Sequence, residues 1–135
     1  MHKILVIEDN FLLLDLINEL LLLSGFHAIT TSNYQEGHEL LTVEQPNLVL
    51  CNYPFFDLDN LTILQNLCDD AAIHNTPLLF MLGYQIIRMP KLHLMTKNYE
   101  TVVKPFPSVI LLKKIYNLLQ ISTNASKAGL IVNQV

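Results

Sequence analysis

The sequence has no tryptophan, only four glycines and two cysteines in 135 residues, and 15% charged residues where an ordinary soluble domain carries about 25%. So few glycines exclude collagen-like and Gly-rich low-complexity structure. The two cysteines, Cys51 and Cys68, lie in apolar surroundings without a CxxC or Cys/His spacing. They read as small buried hydrophobes rather than as a disulfide or zinc ligands. The five histidines, His2, His27, His38, His74 and His93, are likewise dispersed without metal-ligand spacing. Eight Lys and Arg are scattered from Lys3 to Lys127, adjacent only at Lys113-Lys114, in a chain of formal net charge −4. No basic stripe is there to meet phosphates, which argues against direct nucleic-acid binding. The uncharged run from Ala71 to Ile87 is interrupted by His74, Asn75, Thr76, Pro77 and Gln85, so it is not the ~20-residue apolar span of a membrane helix. The apolar stretch Ile4-Leu5-Val6-Ile7 stops at Glu8-Asp9, short of a secretory h-region of about 7–15 residues. A cytoplasmic protein is the expectation.

What is abundant is leucine, 27 of 135 residues in a chain that is 51% hydrophobic. That balance excludes intrinsic disorder, and the length suits one domain of roughly 100–200 residues. Residues 1–121 read as that domain. The small polar stretch Ser122 to Gly129 followed by Leu130-Ile131-Val132 reads as a C-terminal tail or linker, 122–135.

Short β-branched runs alternate with helical patterns. Lys3–Ile7, Phe26–Thr30, Leu48–Cys51, Leu78–Leu82 and Thr101–Val103 read as strands, and the first, third and fourth are apolar almost throughout. A strand apolar on both sides is covered on both sides, which implies a parallel sheet between helical layers. Helices fit Asn10–Ser24, Tyr34–Glu44, Leu58–Ile73 and Ser108–Ile121, with Pro107 suited to a first turn. The fourth, between Gly83 and Asn98, must start late or break because Pro90 falls inside it. The prediction is a doubly wound α/β fold with five parallel strands, and its ligand site lies at the carboxyl ends of the strands. That points to Glu8, Asp9, Asn52, Leu82 and Lys104.

Two adjacent carboxylates at a strand tip are costly unless a cation neutralises them, and a hard, oxygen-seeking ion such as Mg²⁺ is one candidate. An acid that simply opens a helix is the plainer alternative. The pair gains meaning from Pro46-Asn47-Leu48-Val49-Leu50-Cys51-Asn52 and from Val102-Val103-Lys104-Pro105-Phe106. Asp9 precedes Asn52 by 43 residues, Leu82 follows 30 later and Lys104 another 22 on. In this set the chain resembles the receiver domains of bacterial two-component response regulators, over Lys3 to Ile121. The resemblance implies a receiver/flavodoxin-like sandwich, an acid pair that holds Mg²⁺, and a cis Lys104–Pro105 bond.

It also exposes a deficit. The family ends its third strand in an aspartate that accepts a phosphoryl group from a histidine kinase, and this chain has Asn52. An amide is a poor nucleophile and brings no charge to a metal. The family's Ser or Thr at the end of the fourth strand is Leu82, which has no hydroxyl, and its aromatic switch residue is Thr101. Glu8, Asp9 and Lys104 are retained. The expected type is therefore a pseudo-receiver, in which Lys104 neutralises Glu8 or Asp9. A weak Mg²⁺ site through Glu8, Asp9, the Asn52 side-chain oxygen and the Pro54 carbonyl stays open as the second reading. Asp57 and Asp59 lie in the following loop, Asp59 as a cap near Asn60 and Asp57 as the displaced acid of an Mg²⁺-dependent phosphotransfer alternative. Cys51 should face the core, opposite Asn52.

With its switch positions replaced, such a domain would act through a surface, by contact with a kinase, phosphotransfer or regulator protein or with a second copy of itself. No cofactor is required for that. Phased from Leu13, the first helix buries Leu13, Leu16, Ile17, Leu20 and Leu21 and turns Phe11 and Leu22 outward, with Leu12 and Leu14 on the flanks. Phe11, Leu14 and Leu22, with Ile86 and Met89 near the fourth helix, are the interface candidates. A receiver portion of a longer transcription regulator, its DNA-binding part lying elsewhere, is the main alternative.

Overall fold

The computed structural model describes residues 1–53, 59–83 and 92–121. Along the chain these form β1 (Lys3–Ile7), α1 (Phe11–Leu23), β2 (His27–Thr31), α2 (Tyr34–Glu44), β3 (Leu48–Tyr53), α3 (Asp59–Ile73), β4 (Leu78–Leu82), α4 (Leu92–Met95), β5 (Tyr99–Val103) and α5 (Ser108–Leu119). The five strands make one parallel sheet in the order β2-β1-β3-β4-β5.

The alternating apolar pattern fixes the layers. On one face Leu5, Ile7, Val49, Cys51, Phe80 and Leu82 pack with Leu41 of α2 and Leu64, Leu67 and Cys68 of α3. On the other, Ile4, Val6, Leu48, Leu50, Leu79 and Met81 pack with Leu14, Ile17 and Leu21 of α1 and Leu111, Leu112 and Ile115 of α5. The strands expected to be covered on both sides, β1, β3 and β4, are the three inner strands, as parallel sheets require.

β2 begins one residue later than its pattern suggests because Phe26 is used to end α1. Gly25, at φ +88°, turns the chain, its N–H reaches the Leu22 carbonyl and the Phe26 N–H reaches Leu21. That double closure is the Schellman ending, which a residue with a Cβ enters only under strain. α2 sits unusually close to β1, since a Cβ on Gly37 would lie 2.8 Å from Ile7 Cγ1. Among the described residues α4 is a single turn, Leu92–Met95, and Pro90, where a late start or a break was expected, lies outside them.

The inward face of α1 departs from the phase assumed above. Leu14, expected on the flank and as an interface residue, is buried, whereas Leu16, expected in the core, is 56% exposed. Leu13 and Leu20 are only partly buried. Leucines all round the helix give no clear periodicity, so the phase is set by Asp15 and Glu19, which stay in water and turn Leu14, Ile17 and Leu21 inward.

Candidate functional site

Four side chains meet at the carboxyl edge of the sheet, each delivered by a strand end. Glu8 and Asp9 follow β1. The Glu8 N–H pairs with Thr31 O of β2 at 3.0 Å, which continues the β1 line and sinks the Glu8 side chain to full burial. Asn52 sits within β3, nine-tenths buried. Lys104 follows β5, its N–H donating to Leu82 O of β4 at 2.7 Å, and the Lys104–Pro105 bond is cis, as the resemblance implies.

These groups form a closed circuit. The Lys104 ammonium makes an ion pair with Glu8 Oε1 and donates to Asn52 Oδ1 at 2.7 Å. Asn52 Nδ2 donates to Asp9 Oδ1 at 3.0 Å. Glu8 Oε2 accepts the Asn10 N–H at 3.1 Å, and Asn10 in turn caps α1 through Leu13 N. The amide can stand only this way round: flipped, it would aim its N–H₂ at an ammonium and its oxygen at a carboxylate. Burial raises the Glu8 pKa above its usual 4.5, the bond from Lys104 opposes this, and the neighbouring Asp9 carboxyl raises it again. The expected pairing of Lys104 is therefore with Glu8, while Asp9 is bound by the amide.

Does this donor set fit Mg²⁺? A magnesium ion wants several oxygens on one face. Here one Glu8 oxygen and the Asn52 oxygen both face an ammonium, and the Asn52 group facing Asp9 is an N–H. As arranged, the three described side chains of the set, Glu8, Asp9 and Asn52, do not fit. Among the described residues no group of three or more His, Cys, Asp and Glu is placed to hold a metal. Pro54 and Asp57 lie outside the described residues, as do the interface candidates Ile86 and Met89 and the tail 122–135.

The remaining positions follow from the layers. Leu82 is buried with Tyr53 and Phe80 and brings only hydrocarbon to the strand end. Thr101 is partly buried on the edge strand β5. Asp59 is the first residue of α3. Cys51 faces the core, and burial raises both thiols, that of Cys68 to about 12; both stay protonated and unpaired by disulfide. His38 pairs with Asp70 at 2.5 Å, joining α2 to α3. Two site residues escaped the sequence reading. Asn10 had a signal, an Asn directly before a helix. Tyr34, whose hydroxyl donates to the Asn52 carbonyl, had none.

α1 also presents a largely apolar outer surface. Phe11, Leu12, Leu22 and Leu23 are exposed together with Leu16, beside Asp15 and Glu19 and with no basic residue on the helix. No helix among the described residues is long and apolar enough to cross a membrane.

A family model described as the response regulator receiver domain matches residues 4–116. The transcriptional regulatory protein CrdR of Helicobacter pylori is 30% identical over 83 residues, covering 62% of this chain and 38% of that protein. The probable transcriptional regulator ycf27 of Cyanophora paradoxa is 29% identical over 124 residues, covering 90% and 50%. The chain thus spans half or less of the length of these two regulators. In fold it is similar to a response regulator receiver domain protein from Clostridium thermocellum, with TM-score 0.75, 24% identity and coverage of 89% and 95%.

Proposed function

From the premise that this chain belongs to the response regulator receiver domain family, we propose that it is a pseudo-receiver: a signalling module, not an enzyme, that works by protein contact without being phosphorylated. The observation that carries this reading is the amide circuit. At the place where the family's phosphoacceptor stands, Asn52 donates to Asp9 and accepts from Lys104. An aspartate there could accept from Lys104 but could not donate to Asp9. The residue that removes the nucleophile is thus also the one that hydrogen-bonds Asp9, while the Lys104 ammonium balances Glu8. Leu82 and Thr101 supply neither a buried hydroxyl at the strand end nor an aromatic switch, so no second state is prepared for a phosphoryl group to select.

The signal is then carried by a standing surface, and the outer face of α1 supports that role. The partner is a protein, or a second copy of the chain. Capture of a partner by the wild-type chain should be lost in Phe11→Glu/Leu22→Glu and should not change when acetyl phosphate is added. Dependence on acetyl phosphate, or full capture by the double variant, would refute this reading.

A second reading is favoured by one observation: two relatives are transcriptional regulators at least twice as long as the stretch they share with this chain. In that reading the domain is the regulatory part of a longer DNA-binding protein, and the α1 surface contacts its companion domain or partner subunit.

A further inference from the structure

The Asn52 carbonyl lies where the strand ladder runs out. β1 and β3 pair from Ile4 with Leu48 to Ile7 with Cys51, so Asn52 is one residue past the last β1 partner. The next β1-side residue, Glu8, gives its N–H to Thr31 of β2, continuing the β1–β2 ladder. A buried carbonyl without a donor is costly. Here the donor comes from α2. The Tyr34 hydroxyl, on a side chain only 2% exposed, bonds the Asn52 carbonyl, and the Cys51 thiol stands 3.5 Å from the same oxygen. The backbone that carries Tyr34 is itself held at two points. Asn33 caps α2 by accepting from Glu36 N at 2.9 Å, and Gly37 packs directly on Ile7.

We propose that Tyr34 is a positioning residue for the Asn52 amide. Its hydroxyl fixes the backbone at the strand tip from which Asn52 reaches Asp9 and Lys104, and so ties α2 to the circuit. The proposal rests on the pseudo-receiver reading in taking the amide circuit as the working form of the site. Burial raises the phenol pKa far above its usual value, which keeps the hydroxyl protonated as a donor.

The test is NMR spectroscopy of the full chain with no phosphodonor or metal present, following the Asn52 side-chain amide protons and carbonyl carbon. Tyr34→Phe is compared with Leu14→Ala, a destabilised control on the opposite face of the sheet. In Tyr34→Phe the amide protons should exchange about fivefold faster, the effect of one lost hydrogen bond, and the carbonyl carbon should shift. Leu14→Ala should change neither beyond its loss of global stability. Asn52 signals unmoved in Tyr34→Phe would overturn the proposal. If that variant does not fold, the wild type decides: deuterating the Tyr34 hydroxyl should shift the Asn52 carbonyl carbon, and no isotope effect would overturn it. Phosphorylation of Asn52's site would refute the pseudo-receiver reading through a different measurement, so the two failures are separable.

Discussion

Asn52 and Asp9 stand 43 residues apart in sequence and 3.0 Å apart in space, as donor amide and acceptor carboxylate. The direction of that bond matters more than its length. It makes an acid tolerable beside a second acid, and it works only with an amide at position 52.

Asn52→Asp should therefore destabilise the protein at neutral pH by about 1–3 kcal/mol, since a charged hydrogen bond is replaced by two facing carboxylates. Exchanging the pair, Asp9→Asn with Asn52→Asp, restores a donor opposite an acceptor and leaves a carboxylate for Lys104. Urea unfolding should show the double variant recovering more than half of the loss. An Asn52→Asp protein as stable as wild type would contradict the circuit.

The buried Glu8 carboxyl gives a pH signature. Its pKa is raised above 4.5 in the folded protein, so above that pH the native state holds a proton that the unfolded chain releases. The stability of wild type relative to Glu8→Gln should accordingly be greatest near or below pH 4.5 and decline as pH rises through the folded value. Lys104→Met removes the ammonium that opposes the shift and leaves only the Asn10 N–H against it. It should extend the decline to higher pH and cost about 3 kcal/mol at neutrality, as a buried charge loses its partner. Parallel pH profiles for wild type and Glu8→Gln would refute this assignment.

The phase of α1 is testable by a pair of substitutions. Leu14→Ala should lose about 2–5 kcal/mol because Leu14 is packed in the core, whereas Leu16→Ala, on the exposed side, should change stability by less than about 0.5 kcal/mol. Equal losses at the two sites would show the helix turned differently.

Much of the fold was legible because its signals are redundant. The apolar runs at Lys3–Ile7, Leu48–Cys51 and Leu78–Leu82 read as strands covered on both sides, and α2 and α5 begin at Tyr34 and Ser108, where the helical patterns put them. The site's membership was legible too, because strand ends in a parallel sheet converge on one edge. Its wiring was not. Spacing brings Asn52 near Asp9 and Lys104 but does not say which way an amide points, and that follows only from the charges of both neighbours at once. The α1 error has the same origin: among so many leucines, the informative residues were the two acids that must stay in water. Tyr34 was unreadable because its role depends on where the β1–β3 ladder stops, a fact about pairing between strands that no local pattern carries.

The central claim is that position 52 cannot take a phosphoryl group. Intact-mass spectrometry of the full chain after incubation with acetyl phosphate and Mg²⁺ tests it directly, with Asn52→Ala alongside. The account predicts no phosphoryl adduct on the wild-type chain; an adduct that Asn52→Ala removes would contradict it.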